Sequence, residues 1–191
     1  MAAEEPIGVA GAQSAGAGAP DCPELLASGV VPPGAGTPVP VLGIVHKVDG
    51  SQLAAPVTLL EGVLEPGRLI PPHTHTREDE VSFVVAGTVT FWIDGRSHLA
   101  PPGSYVIKPR GLPHAIWNAT DEVARLVEIH SPGGQARYYD SLAELLVAPG
   151  LDDAERAARI AEMQAGWGIT AHPEVVPSLI ADHGFHPQHP G

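Results

Sequence analysis

The chain has 191 residues, a formal net charge of −12, ten histidines and one cysteine. The acidic excess, with Lys and Arg scattered, argues against nucleic acid and anionic membrane as partners, and a single cysteine excludes an intrachain disulfide. No apolar run reaches the length of a membrane span, and the start Met-Ala-Ala-Glu-Glu lacks the basic opening of a secretory signal, so a cytoplasmic location is expected.

Residues 1–36 are rich in Ala, Gly and Pro and poor in large apolar side chains. Such a segment buries too little to offset its ordering entropy, and a disordered tail is expected. It contains Cys22, read as an inert thiol, and a possible short turn of helix over 23–28. Strand-like runs then follow closely: 39–48, 57–64, 69–76, 80–86, 88–94, 97–100, 105–109, 114–119 and 123–130. The runs 80–86 and 88–94 are expected to form a hairpin about Gly87, and Asp94-Gly95 is a strong hairpin turn. Evenly spaced short strands with turn signals indicate an all-β barrel or sandwich, assigned to 37–134.

After Ser131-Pro-Gly-Gly134 the pattern becomes helical, over 135–184. Asp140 or Ser141 can cap a helix running to Val147. Asp152 and Asp153 open a second, with Ala154, Ala158, Ile160 and Met163 as its apolar residues and Gly166 as its stop. A third spans 174–182. These short helices are expected on the barrel's outer face or near its mouth. His186 and His189 fall in the tail 185–191, read as a frayed terminus and not as a metal site.

Two histidine-bearing motifs lie in series. The first runs Gly67-Arg-Leu-Ile-Pro-Pro-His73-Thr-His75-Thr-Arg-Glu-Asp-Glu80, then six residues to Gly87; the second runs Gly103-Ser-Tyr-Val-Ile-Lys-Pro109-Arg-Gly111-Leu-Pro-His114-Ala-Ile-Trp-Asn118. Imidazole and carboxylate are the groups that transition metals choose. On a strand, His73 and His75 point to one face, about 7 Å apart along the chain. The polar stretch 76–79 can bend Glu80 back towards them, while His114 must arrive from a distant strand. Four such ligands meet only if the sheet curls round them. Pro109 and Pro113 stiffen the approach to His114. The cofactor expected is one divalent transition metal (Ni, Fe, Mn, Co, Cu or Zn), held by His73, His75, Glu80 and His114.

Both motifs resemble the paired signature of the cupin superfamily, over roughly 41–130, and the single pair resembles a monocupin. That resemblance implies a mainly β, jelly-roll barrel with metal in its interior. The run 73–80 and the C-terminal helices look most like bacterial quercetinase-type monocupins, which cleave the oxygen-bearing ring of flavonols with O2 and release carbon monoxide. The implied activity is a metal-dependent dioxygenase acting on a flavonol or similar enolisable aromatic substrate. The alternatives are an oxygen-independent cupin isomerase, cyclase or lyase, or a non-catalytic small-molecule binder, because fold does not fix function. The resemblance also implies a homodimer, in keeping with the tendency of barrel edges to pair.

Four protein ligands leave one or two positions open on a five- or six-coordinate ion, which suits catalysis better than a closed structural site. Glu80 is the candidate base by the family pattern. Glu78 is the other carboxylate in reach, though a solvated position beside Arg77 is the plainer reading. Phe83, Phe91, Tyr105 and Trp117 are candidate walls for a flat substrate, subject to a register in which a one-residue slip inverts every side chain. His46, His98 and His130 are expected at the surface or as hydrogen-bonded core residues. Asn118 is expected to organise a turn or support the site, and Thr74 and Thr76 to face away from it.

Overall fold

A computed structural model describes residues 31–48, 53 and 56–183. The tail with Cys22, the helical turn at 23–28 and the segment with His186 and His189 lie outside the described residues.

Eleven strands are described: β1 (Thr37–Val39), β2 (Ile44–Val48), β3 (Thr58–Leu64), β4 (Leu69–His75), β5 (Asp79–Ala86), β6 (Val89–Ile93), β7 (Arg96–Ala100), β8 (Tyr105–Lys108), β9 (His114–Trp117), β10 (Ala124–Ser131) and β11 (Ile169–Ala171). They form two antiparallel sheets, in the orders β1-β2-β3-β10-β5-β8 and β11-β4-β9-β6-β7. Three α-helices accompany them: α1 (Gln135–Val147), α2 (Asp153–Trp167) and α3 (Val176–His183). Among the described residues no helix is long and apolar enough to cross a membrane.

The sheets face each other through alternating side chains. Leu64, Val84, Val89, Phe91, Ile116 and Leu126 form the apolar core between them. The outer face of β9 and β6 is covered as well: α3 brings Leu179 onto Ala115 and Trp117. All four residues of β9 are therefore buried, two inward and two beneath a helix.

Several turns follow the sequence expectation. Asp94 and Gly95 both take positive φ, 46° and 84°, as a two-residue hairpin between paired β6 and β7 requires. Gly87 has φ 71°, and a Cβ there would stand 2.7 Å from Ala124 Cα, so only glycine fits; the hairpin expected about it does not form, because β5 and β6 cross from one sheet to the other. Asp152 caps α2 by accepting from the Glu155 backbone N–H at 2.8 Å while Glu155 accepts from Asp152, a full capping box.

Other expectations need correction. The single strand over 39–48 is two strands, because Pro40 opens a 3-10 turn (Pro40–Leu42) and Gly43 reverses the chain. Helix α1 begins at Gln135, five residues before Asp140; Gln135, Ala136 and Tyr138 gain burial there, and its N-cap Gly134 contributes no side chain. Helix α2 runs past Gly166 to Gly168, whose φ of 76° ends it. The three-residue β11 was not anticipated. It extends the sheet beside β4, pairing Ala171 with His73 and Ile169 with His75, and so braces the strand that carries both histidines.

Candidate metal centre

Strand alternation sends His73 and His75 from β4 to the barrel interior. Thr74 between them points away, its Oγ1 2.7 Å from His172 Nε2, and Thr76 donates to the Gly168 carbonyl at 2.8 Å. Glu80 enters from β5 in the opposite sheet, and His114 from β9, where it pairs directly with His73. Each of the four offers a ligand atom, and all these atoms lie within 4.8 Å of one another. The two motif loops are tied together. The Gly111 N–H donates to the His75 carbonyl at 2.7 Å, and Arg110 grips Asp79 at 2.6 and 3.0 Å, holding that carboxyl down at about 2.

Three of the atoms facing the centre are left without partners. His75 Nε2, His114 Nε2 and Glu80 Oε2 are buried and make no hydrogen bond. Yet Glu80 Oε2 stands 3.0 Å from His114 Nε2 and 3.6 Å from His75 Nε2. Buried polar atoms are ordinarily satisfied; three such orphans aimed at one point fit a bound cation. The outward ring nitrogens fix the imidazoles. His73 Nδ1 lies 2.7 Å from the Pro71 carbonyl and His114 Nδ1 lies 3.0 Å from the Leu112 carbonyl. Donation to those carbonyls leaves Nε2 with a lone pair for a metal. On the far side of His75, Nδ1 lies 3.4 Å from Gln135 Nε2 and 3.6 Å from Glu78 Oε2. Burial pushes His73 well below the usual imidazole range and His75 down to about 4, so both are neutral at pH 7, as ligands must be.

Behind Glu80 lies a buried charge network that the motif reading missed. Lys108 is fully buried, with Nζ 2.8 Å from Glu80 Oε1 and 3.0 Å from Glu128 Oε2. Ser82 Oγ donates to the Glu128 carboxyl at 2.8 and 2.9 Å. Burial pulls against the Glu80 anion, but Lys108, His130 and His114 outweigh it and hold its carboxyl well below the ordinary range. Glu128 goes the other way: burial, opposed by Lys108, pushes it up to about 8. At pH 7 the trio is therefore Lys108 cation, Glu80 anion and protonated Glu128. Parity was the available signal: Lys108, six residues before His114, lies opposite Glu80 in the β5–β8 register.

Residues 60–130, from β3 through β10, match the cupin domain family. The barrel is cupin-like. A search of curated proteins found no match. Similar solved structures include KdgF from Halomonas sp., with 20% identity over 50% of this chain and 84% of that one and a TM-score of 0.43. A predicted oxalate decarboxylase from Thermotoga maritima gives 18% identity over 46% and 76%, with a TM-score of 0.44. The DMSP lyase DddQ from Ruegeria pomeroyi gives 24% over 42% and 40%, with a TM-score of 0.38.

The barrel opens from its histidines into a cavity of about 460 Å³. Aliphatic side chains of both sheets line it, Leu60, Ile70 and Leu126 among them, and the helices complete it with Tyr138, Tyr139, Leu142 and Leu146 from α1 and Ile160 and Gln164 from α2. The helices thus wall the cavity and do not merely coat the barrel. His73, His75 and Glu80 border it directly.

The four aromatic candidates do not line this cavity, and the pleat explains why. Phe83 is three residues from Glu80 and Trp117 three from His114, so each lies on the opposite face of its strand. Phe83 meets Tyr105 outside, ring centroids 4.6 Å apart, and Tyr105 is 69% exposed. Trp117 lies beneath α3. Phe91 faces inward but fills the apolar core, 5.6 Å from Lys108 Nζ. Glu78 is not solvated beside Arg77: it is buried against His75 and absent from the cavity wall, and burial raises its pKa. His98 is exposed and His46 is buried, 3.3 Å from Asp140. His130 is fully buried, with Nε2 3.4 Å from the Tyr139 hydroxyl. Asn118 organises the turn before β10, donating to the Leu64 and Glu122 carbonyls and accepting from Thr120.

Proposed function

We propose that this protein is a metal-dependent dioxygenase that opens an enolisable, oxygen-bearing ring with O2, flavonol cleavage of the quercetinase kind being its sharpest form. One observation carries the reading: two of the three partnerless ligand atoms, on His75 and Glu80, belong to residues that border the apolar cavity. Small-molecule sites are concave, mostly apolar and about 300–1,000 Å³ in volume, and this one falls in that range.

A divalent ion held by His73, His75, Glu80 and His114 would acidify a coordinated substrate hydroxyl. The surrounding residues then have separable tasks. The aliphatic walls orient the ring and exclude water. Lys108 anchors Glu80 through Oε1 and leaves Oε2 facing the site. Glu80 is the carboxylate we assign as base, since Glu78 does not border the cavity. Its depressed proton affinity makes it a weak base, suited to a substrate hydroxyl that has already been acidified. Tyr139, which borders the cavity, is held neutral because burial raises its phenol well above the usual range, so it can donate a hydrogen bond to substrate oxygen.

The test is metal analysis of anaerobically purified protein, then oxygen uptake with quercetin and 3-hydroxyflavone after loading with each redox-active metal. Substrate-dependent uptake with carbon monoxide release is expected. Full loading without uptake would refute the dioxygenase, and turnover without oxygen would point to the isomerase, cyclase or lyase class.

A further inference from the structure

The polar groups around the cavity are unevenly spent. Glu128 is saturated by Lys108 and Ser82. The Tyr138 hydroxyl accepts from Gln164 Nε2 at 3.2 Å, and the Tyr139 hydroxyl lies 3.4 Å from His130. Beyond the metal-ligand cluster, the bordering side chain that remains free is Arg68. It is half-buried, and among the described residues it makes no side-chain hydrogen bond or ion pair. Arg68 immediately precedes β4, five residues before His73. At about 3.3 Å per residue that places its Cα about 16 Å from that ligand's. It also borders the adjoining shallow groove by Pro40–Leu42, so it stands at the end of the cavity away from the histidines.

We infer that the substrate is an elongated acid: the oxygen donors of its ring meet the metal cluster at one end, and a carboxylate at the far end is held by Arg68. Two features converge on this class. A guanidinium is a planar fork that matches a carboxylate bidentately. In a chain of net charge −12, a partnerless arginine at a cavity mouth supplies the local attraction an anion needs. Arg68 is then the specificity residue, selecting length and charge at a distance from the chemistry.

This inference rests on the metal-and-cavity reading above, and a ruler of simple ligands separates the two. Saturated α,ω-dicarboxylic acids of six to sixteen carbons and their matched monocarboxylic acids would be titrated calorimetrically into zinc-loaded and zinc-free protein. The monoacids should bind more tightly with zinc than without. The diacids should show an optimum in length at which they bind about tenfold more tightly than the matched monoacid, the scale of one charge-assisted contact. Arg68→Met keeps the apolar stem and should erase that optimum. Diacids no tighter than monoacids at any length, or an optimum that survives Arg68→Met, would overturn the assignment while leaving the metal reading standing. Zinc-independent binding of both series would overturn both.

Discussion

Replacing Lys108 by methionine should destabilise the metal-free protein by about 3–5 kcal/mol, the usual loss when one partner of a buried ion pair is removed. Lys108 Nζ has no solvent and lies 2.8 Å from Glu80 Oε1. At an effective dielectric of about 20 the gross attraction at that separation is about 6 kcal/mol, most of it offset by desolvation of the two ions. Removing lysine discards the attraction but leaves the Glu80 charge buried. The methionine stem keeps the packing, and the lost contact with the Phe91 ring accounts for about 0.5–1 kcal/mol at most. Protonated Glu128 adds no second anion at pH 7. The assay is urea unfolding at pH 7 with a chelator present, as a double-mutant cycle with Glu80→Gln. The lysine substitution should cost at least about 2 kcal/mol less in the Glu80→Gln background. A loss under about 1 kcal/mol, or strict additivity of the two changes, would refute the ion pair as the reason lysine occupies this core position.

The same chemistry sets the pH dependence. Glu128 is raised from 4.5 to about 8, so its contribution is full below 4.5 and is lost as pH rises through 8; Glu128→Gln should remove its share of the decline in urea midpoint between pH 5 and 8. His75 and His130 are lowered from 6.5 to about 4, so their contribution is full above pH 6.5 and is lost as pH falls towards 4, each on the order of 3 kcal/mol. Thermal scans in chelator at pH 7, 6 and 5 should show that loss, less steeply in His130→Gln. Zinc or cobalt at a hundred times its Kd should stabilise the wild type by about 2.7 kcal/mol, and His114→Ala should abolish the shift in thermal midpoint. Gly168→Ala should cost about 1–3 kcal/mol in urea unfolding, since a Cβ there would meet Thr76 Oγ1 at 2.5 Å at a φ of 76°.

The barrel was legible because its signals are local. Alternation and the Asp94-Gly95 turn specify geometry within a few residues and appear as read, and Asp152 opens α2; Gly87 turns the chain but joins strands of different sheets, since pairing depends on the rest of the barrel. What was missed depends on remote packing. Strand β11 has three residues and no signal of its own; it exists because α2 ends at Gly168 beside the free edge of β4. Helix α1 starts at Gln135 without a capping side chain, because Tyr138 and Tyr139 pack over the cavity.

The site divides along the same line, with one instructive exception. The four clustered ligands were readable from residue type and spacing, since their chemistry is unusual enough to stand out one residue at a time. The cavity wall was not, since a quarter of its residues come from α1 and α2, beyond the cupin match that ends at 130. The aromatic candidates, however, were testable by counting. Once His114 and Glu80 are assigned inward, the pleat sends Trp117 and Phe83 outward and keeps Lys108 and Glu128 within, by β5–β8 and β5–β10 register. A lysine and two acids in the interior beside the histidine cluster are not explained by stability, because buried pairs rarely outperform hydrophobic side chains of similar volume. Their consequence is positional: one oxygen of Glu80 is occupied and the other faces the histidines. The residue that looked like a conventional strand position before a proline is therefore the one that sets the orientation of the acidic ligand.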